Sequence, residues 1–364
     1  MKKWFLTRQR EFLECEIVEE NPKKRTIKII ELGHELENKI LKIFGEKVAG
    51  GNLYPRVFFS DEKPKDYFEY KGRILLKKLE NNSLIPREEA YLFQPITSQI
   101  IDSIIAGDKV LLTGEAGVGK SSSIEQLSAR INQPTVRINL NGESRIGDFL
   151  GKIHVEGGRT FWKDGVLPTA MKNGHFIIID EVDMCESNIL SLLHPVLEDG
   201  GRLVLKENDG EVIHPHPDFR IFATANSIGS MQGRADAYTG TATMNEAFLD
   251  RWHILEMPPL DVKTETRIIK LKIPQLRSKL AKNIVQFANL VRSAANSNEG
   301  INFKVSTRAC LQWAKKMALY RDPIKSAESV FLFKVSSEDK DWIVRTIKTV
   351  FATKRREEKE EKED

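Results

Sequence analysis

One run of eight residues limits the fold more than any other: Gly114-Glu115-Ala116-Gly117-Val118-Gly119-Lys120-Ser121. It matches the pattern G-x-x-x-x-G-K-[ST]. It follows the apolar stretch Val110-Leu111-Leu112-Thr113 and precedes a helix expected from Lys120 to Ile131. Glycines at such a strand-to-helix turn let backbone N–H groups converge on phosphate oxygens. The helix N-terminus adds partial positive charge. Lys120 is placed to reach the β- and γ-phosphates and Ser121 to bind magnesium, with Ser122 next to them in the binding set. ATP and Mg2+ are therefore the expected ligands. The rival reading, a glycine-rich turn with no ligand, leaves the flanking strand and helix unexplained.

A second apolar strand ends in acids, Ile177-Ile178-Ile179-Asp180-Glu181. Buried charge is costly unless paired, and a magnesium ion would pair it. Asp180 is then the metal-side carboxylate. Glu181 is placed to orient or deprotonate the attacking water. The plainer alternative is that the two acids cap the next helix. Asp183 either supports this site or caps a helix starting near Glu186.

The chain reads in three parts and a tail. Residues 1–84 form a small α+β or β-rich module: Glu11–Val18 and Arg25–Ile30 read as a hairpin, and Glu35–Phe44 has helical spacing. Val57–Phe59 and Ile74–Leu79 are further strand candidates. Residues 85–260 alternate short apolar strands with helical stretches. The strands are Lys109–Thr113, Thr135–Asn139, His175–Ile179 and Arg220–Ala223, and runs apolar on both faces mark a parallel sheet covered by helices. The fold class is thus α/β. Residues 261–353 are helical, with stripes over Leu280–Ala294, Thr307–Tyr320 and Asp339–Phe351. Residues 354–364 mix both charges without apolar residues, as a frayed or disordered end does.

Three further positions suit phosphoryl chemistry. Ile221-Phe222-Ala223-Thr224-Ala225-Asn226 is a strand ending in an amide that can hold the lytic water or a γ-phosphate oxygen; Asn there is also a common turn residue. Phe248-Leu249-Asp250-Arg251-Trp252 places Arg251 after a short helix. Arginine can stabilise the transferring phosphoryl group from a neighbouring subunit, and a surface ion pair between Asp250 and a nearby base is the alternative. Ser306-Thr307-Arg308 opens a helix, from which Arg308 reaches the nucleotide or is solvated at the helix end.

In this order the segments resemble the AAA+ ATPases, specifically the MoxR and dynein-related branch and its CobS-type members. The matching pieces are IEQLSARIN, VRINLNGESRIGDFLGK, WKDGVLPTAM, VLEDGGRLVL, IHPHPDFRIFATAN, YTGTATMNEAFLDRW and STRACLQWAKK. The resemblance implies that Gly114–Ser121 are the Walker A loop and Asp180 and Glu181 the Walker B pair. It implies sensor 1 at Asn226, an arginine finger at Arg251 and sensor 2 at Arg308. It implies a homohexameric ring with ATP sites between subunits, and a partner bearing a von Willebrand factor A domain. Two hairpins typical of the branch fall at Ile153–Trp162, around Gly157-Gly158, and at Arg202–Ile213, around Asn208-Asp209-Gly210. In related rings such inserts line the pore face or touch the client. The expected role is ATP-driven remodelling of a protein complex. The likeness to CobS leaves a motor serving a cobalt chelatase open, while residues 1–84, which lie outside the resemblance and count against a chelatase, leave open a motor acting on nucleic acid. A scaffold that binds nucleotide without turnover is the non-enzymatic rival.

Composition excludes several other classes. The net charge of +4 does not by itself demand nucleic acid. No apolar run approaches the ~20 residues of a membrane span, and the opening MKKWFLTRQREFLE lacks a signal-peptide core, so a cytoplasmic protein is expected. Cys15, Cys185 and Cys310 are too scattered for a disulfide framework or zinc site. His214 and His216 flank a proline and read as a loop rather than a metal site.

Overall fold

The computed structural model describes backbone strands within residues 2–6, 12–21, 24–29, 40–44 and 59–60. It describes residues 66–78, 82–139, 146–185, 187–226, 244–297, 301 and 303–352 in more detail. The five early strands are β1 (Lys2–Leu6), β2 (Phe12–Asn21), β3 (Lys24–Ile29), β4 (Ile40–Phe44) and β5 (Phe59–Ser60). They form one antiparallel sheet in the order β4-β3-β2-β1-β5. The expected β2–β3 hairpin is present, pairing Asn21 with Lys24.

The helix expected over Glu35–Phe44 is not found at its C-terminal half. Ile40–Phe44 instead pairs with β3, from Lys28↔Ile40 to Lys24↔Phe44. Ile40, Leu41, Ile43 and Phe44 satisfy helical spacing and a short strand equally, and the edge of β3 decides for the strand. Residues 35–39, residues 57–58, Leu79 and the charged tail lie outside the described residues. The candidate at Ile74–Leu79 appears as β7 (Arg73–Leu76), paired with β6 (Tyr67–Tyr70).

The central fold follows the expected alternation. Its elements are α1 (Thr97–Ala106), β8 (Val110–Thr113), α2 (Lys120–Arg130), β9 (Thr135–Asn139), α3 (Ile146–Phe149), β10 (Gly151–Glu156), β11 (Arg159–Asp164), α4 (Val166–Asn173), β12 (Phe176–Asp180), α5 (Ser187–Leu197), β13 (Leu203–Leu205), β14 (Glu211–Ile213), β15 (Arg220–Ala225), α6 (Glu246–Leu249) and β16 (His253–Glu256). The main sheet is parallel, in the order β16-β8-β15-β12-β9. β8 and β12 are buried at every residue, as a sheet covered on both faces requires. Because every strand runs the same way, β8, β9, β12 and β15 all end along one edge, where open α/β sheets bind ligands. The hairpins β10–β11 and β13–β14 turn at Gly157-Gly158 and around Asp209-Gly210, where the backbone takes positive φ.

Five helices follow: α7 (Val262–Lys272), α8 (Ser278–Asn296), α9 (Thr307–Tyr320), α10 (Pro323–Glu328) and α11 (Ser337–Ala352). Asp261, Ser306 and Asp322 cap α7, α9 and α10 through side-chain oxygens. Their core centres on Trp313, which meets Phe287 and Phe331 edge-on at 5.0 and 5.3 Å. By packing, the chain divides into two compact units. The first holds Met1–Glu88, Phe93–Thr113 and Ser121–Glu256; the second holds Glu89–Leu92, Gly114–Lys120 and Met257–Asp364. Among the described residues no helix is long and apolar enough to cross a membrane.

Candidate nucleotide site

The glycine loop packs with the helical unit. Gly114 has φ +141°, and a Cβ there would lie 2.5 Å from the Met257 carbonyl oxygen. Gly117 has φ +82°, and a Cβ there would come within 3.1 Å of Ser306 Cβ and 3.6 Å of the Arg308 backbone nitrogen. Only glycine fits a left-handed backbone with so little room. The loop therefore runs against the start of α9, and Arg308 stands beside Gly117. The Arg308 side chain is exposed. The Lys120 ammonium is buried and donates to the carbonyl oxygens of Gly114 at 2.6 Å and Glu115 at 3.1 Å. Tyr91, which carried no assignment in the sequence, sets its hydroxyl near Gly119, and burial pushes its phenol above the ordinary value.

In the first unit the strand ends build a polar cluster around Asp180, which is 6% exposed. Ser121 Oγ donates to Asp180 Oδ1 at 2.5 Å, and Thr224 Oγ1 donates to the same oxygen at 2.9 Å. Arg137 Nε donates to Asp180 Oδ2, and Arg137 Nη1 also reaches Glu125 at 3.4 Å. Burial opposes the Arg137 charge, but Asp180 and Glu125 offset it and hold the guanidinium above its ordinary value. Two hard oxygens, a hydroxyl and a carboxylate, meeting at 2.5 Å are the donor set magnesium takes.

Glu181 sits one residue beyond the strand with φ +56° and ψ +47°. A left-handed backbone costs a non-glycine residue roughly 1–2 kcal/mol, and such strain collects at functional sites. Here it turns the Glu181 side chain out while Asp180 stays in. Asn139 Nδ2 holds Glu181 Oε2 at 3.0 Å, and Thr224 Oγ1 accepts the Glu181 backbone N–H at 3.2 Å. Asp183 is fully buried, and its Oδ2 accepts the Asn226 backbone N–H at 2.9 Å. That bond fixes the end of β15. Arg251 follows α6 and bonds within its own chain, with Nε and Nη2 donating to Glu198 Oε1 at 2.8 and 2.5 Å. Its acid partner is Glu198, fifty-three residues earlier in the chain.

Sequence reasoning gave no role to Arg137, Asn139 or Thr224. A signal existed for two of them. β9 reads Thr-Val-Arg-Ile-Asn, with polar residues at alternate positions on a strand beside β12, and Asn139 stands opposite Asp180 in the register. Cys185 and Cys310 are buried and form no disulfide. Among the described residues no group of three His, Cys, Asp or Glu side chains is arranged to hold a metal.

Residues 109–251 match the AAA domain (dynein-related subfamily), and residues 265–353 match the CbbQ/NirQ/NorQ C-terminal domain. The aerobic cobaltochelatase subunit CobS of Sinorhizobium sp is 33% identical over 278 residues, which is 73% of this chain and 82% of that protein. Midasin of Giardia intestinalis is 33% identical over 165 residues, 45% of this chain but only 3% of that much longer protein. Midasin of Dictyostelium discoideum is 28% identical over 212 residues, again 3% of its length. The strand-edge carboxylates, the glycine loop and a relative matched over most of its length agree: the chain belongs to the MoxR-like, dynein-related branch of the AAA+ ATPases, the family that includes CobS.

Proposed function

We propose that this chain hydrolyses ATP as one protomer of a homohexameric ring and uses the cycle to remodel a partner protein complex. The observation that carries the reading is the meeting of Ser121 Oγ and Asp180 Oδ1 at 2.5 Å, one residue from Lys120 on one side and from Glu181 on the other. Magnesium bound there would neutralise charge on the β- and γ-phosphates. The chain's own residues do the rest. The backbone of Gly114–Gly119 and the first turn of α2, with Ser122, cradle the phosphates. Lys120 exchanges the loop carbonyls for phosphate oxygens. Glu181 takes a proton from the attacking water or orients it, and Asn139 sets the direction of that carboxylate. Asn226, fixed through Asp183, holds the water or a γ-phosphate oxygen.

Arg251 and Arg308 are the cationic pair of this reading. Arg308 reaches the nucleotide bound by its own loop. Arg251 serves a neighbouring protomer, exchanging Glu198 for phosphate. Residues 85–260 act as the motor core, 261–353 as the lid and 1–84 as an accessory module. A partner with a von Willebrand factor A domain fits the family and is part of the proposal. So is a cytoplasmic setting.

Lys120→Ala should abolish nucleotide binding or turnover, measured by titration with a fluorescent ATP analogue and by phosphate release. Unchanged binding and turnover would remove the loop from the site. Arg251→Ala should lose hydrolysis too, and mixing it with Lys120→Ala protomers should restore part of it. Mixed rings with no recovery would contradict a shared site. A second reading, the motor of a cobalt chelatase, is favoured by the coverage of CobS. ATP-dependent cobalt insertion into a porphyrin-type ring, with a large chelatase subunit added, would support it.

A further inference from the structure

Three helices of the lid converge on one buried carboxylate that the proposed reaction does not use. Glu265, in the first turns of α7, is 0% exposed. Arg292 of α8 grips both its oxygens, Nη2 to Oε1 at 2.8 Å and Nη1 to Oε2 at 2.9 Å. Thr307, the first residue of α9, donates its hydroxyl to Glu265 Oε1 at 2.8 Å. Arg292 Nε donates to the Val305 carbonyl oxygen at 2.7 Å. The clamp thus holds residues 305 and 307 from two sides. Between them lies Ser306, which caps α9 and packs beside Gly117, and next comes Arg308.

A buried ion pair is a poor device for stability alone, since apolar residues of the same volume are often at least as stable. A two-pronged guanidinium–carboxylate contact does fix geometry closely. We propose that Glu265 and Arg292 are positioning residues for Arg308: they set the start of α9 against the glycine loop and thereby tune ATP affinity. The proposal rests on the reading of that loop as the ATP site.

The test is a double-mutant cycle on the full chain, read as KM and kcat for ATP, with melting temperature recorded for every variant. The charge-free pair Glu265→Leu with Arg292→Met keeps volume and folding. Arg292→Lys keeps the charge and loses the fork. Each should raise the KM for ATP about tenfold, the value of one charge-assisted hydrogen bond, with kcat changed less. In an Arg308→Ala background the same changes should raise KM less than about twofold, because the effect passes through Arg308. Equal increases in both backgrounds would show a merely structural clamp and overturn the proposal. So would unchanged KM in the clamp variants while Arg308→Ala alone raises it. If Arg308→Ala itself leaves KM unchanged, the role given to Arg308 at the ATP site fails first, and the clamp loses its object.

Discussion

Asp180 in the first unit and Glu265 in the second are both carboxylates held by an arginine, yet the two pairs are built differently. Arg137 touches Asp180 through Nε, shares itself with Glu125 and leaves 42% of its side chain exposed. Arg292 encloses Glu265 with both prongs, at 21% and 0% exposure. Asp180 also gathers two hydroxyls, Ser121 and Thr224, on its other oxygen. In the first pair the carboxylate is buried, but its arginine is shared and part in solvent, so that arginine can be exchanged for an ion more readily. The second is dry and closed, and opening it would leave a charge buried without water. On the proposed reading, the contrast separates a carboxylate kept available for chemistry from one committed to geometry.

Stability measurements can break that contrast. The largest effect is expected at Glu265→Ala, which leaves Arg292 without its partner and should cost about 3–5 kcal/mol in urea unfolding. Asp180→Asn comes next. Its amide oxygen still accepts from Ser121 and Thr224, so the loss in the same assay should be about 1 kcal/mol, while ATP turnover falls at least about a hundredfold. The smallest effect belongs to Arg137→Ala, below about 1 kcal/mol and shrinking with added salt, because the guanidinium is half in solvent. If Arg137→Ala destabilised the chain as much as Glu265→Ala, the two pairs would be of one kind and the contrast would be lost.

How far the sequence was legible follows from the same physics. Phe176–Ile179 could be read as a central strand because a sheet covered on both faces leaves no room for polar residues. The turn between β8 and α2 was legible because Gly114, Gly117 and Gly119 all take positive φ, a backbone that glycine alone adopts freely. The left-handed turn at Glu181 was not legible, since no residue type there announces positive φ. β16 was missed because only Ile254 and Leu255 mark it. α7 was missed for a more telling reason: its buried residues are Glu265 and Ile269, so the helix presents a charge where periodicity looks for an apolar side chain. The Glu265–Arg292 pair joins residues from two helices, and a sequence with Glu and Arg on many helix faces gives no sign of which are enclosed. Ile40–Phe44 failed in the opposite way, with a pattern that suited two structures until its neighbour β3 selected one.

The most direct test of the account is the Glu181→Gln protein given ATP and magnesium. Bound nucleotide and released phosphate would be measured in one sample. The expected result is ATP retained at wild-type affinity with phosphate release slowed by about 10²–10⁴, the range for removing a general base. Normal phosphate release from that variant would contradict the assignment of Glu181, and no ATP retained by either protein would contradict the site itself.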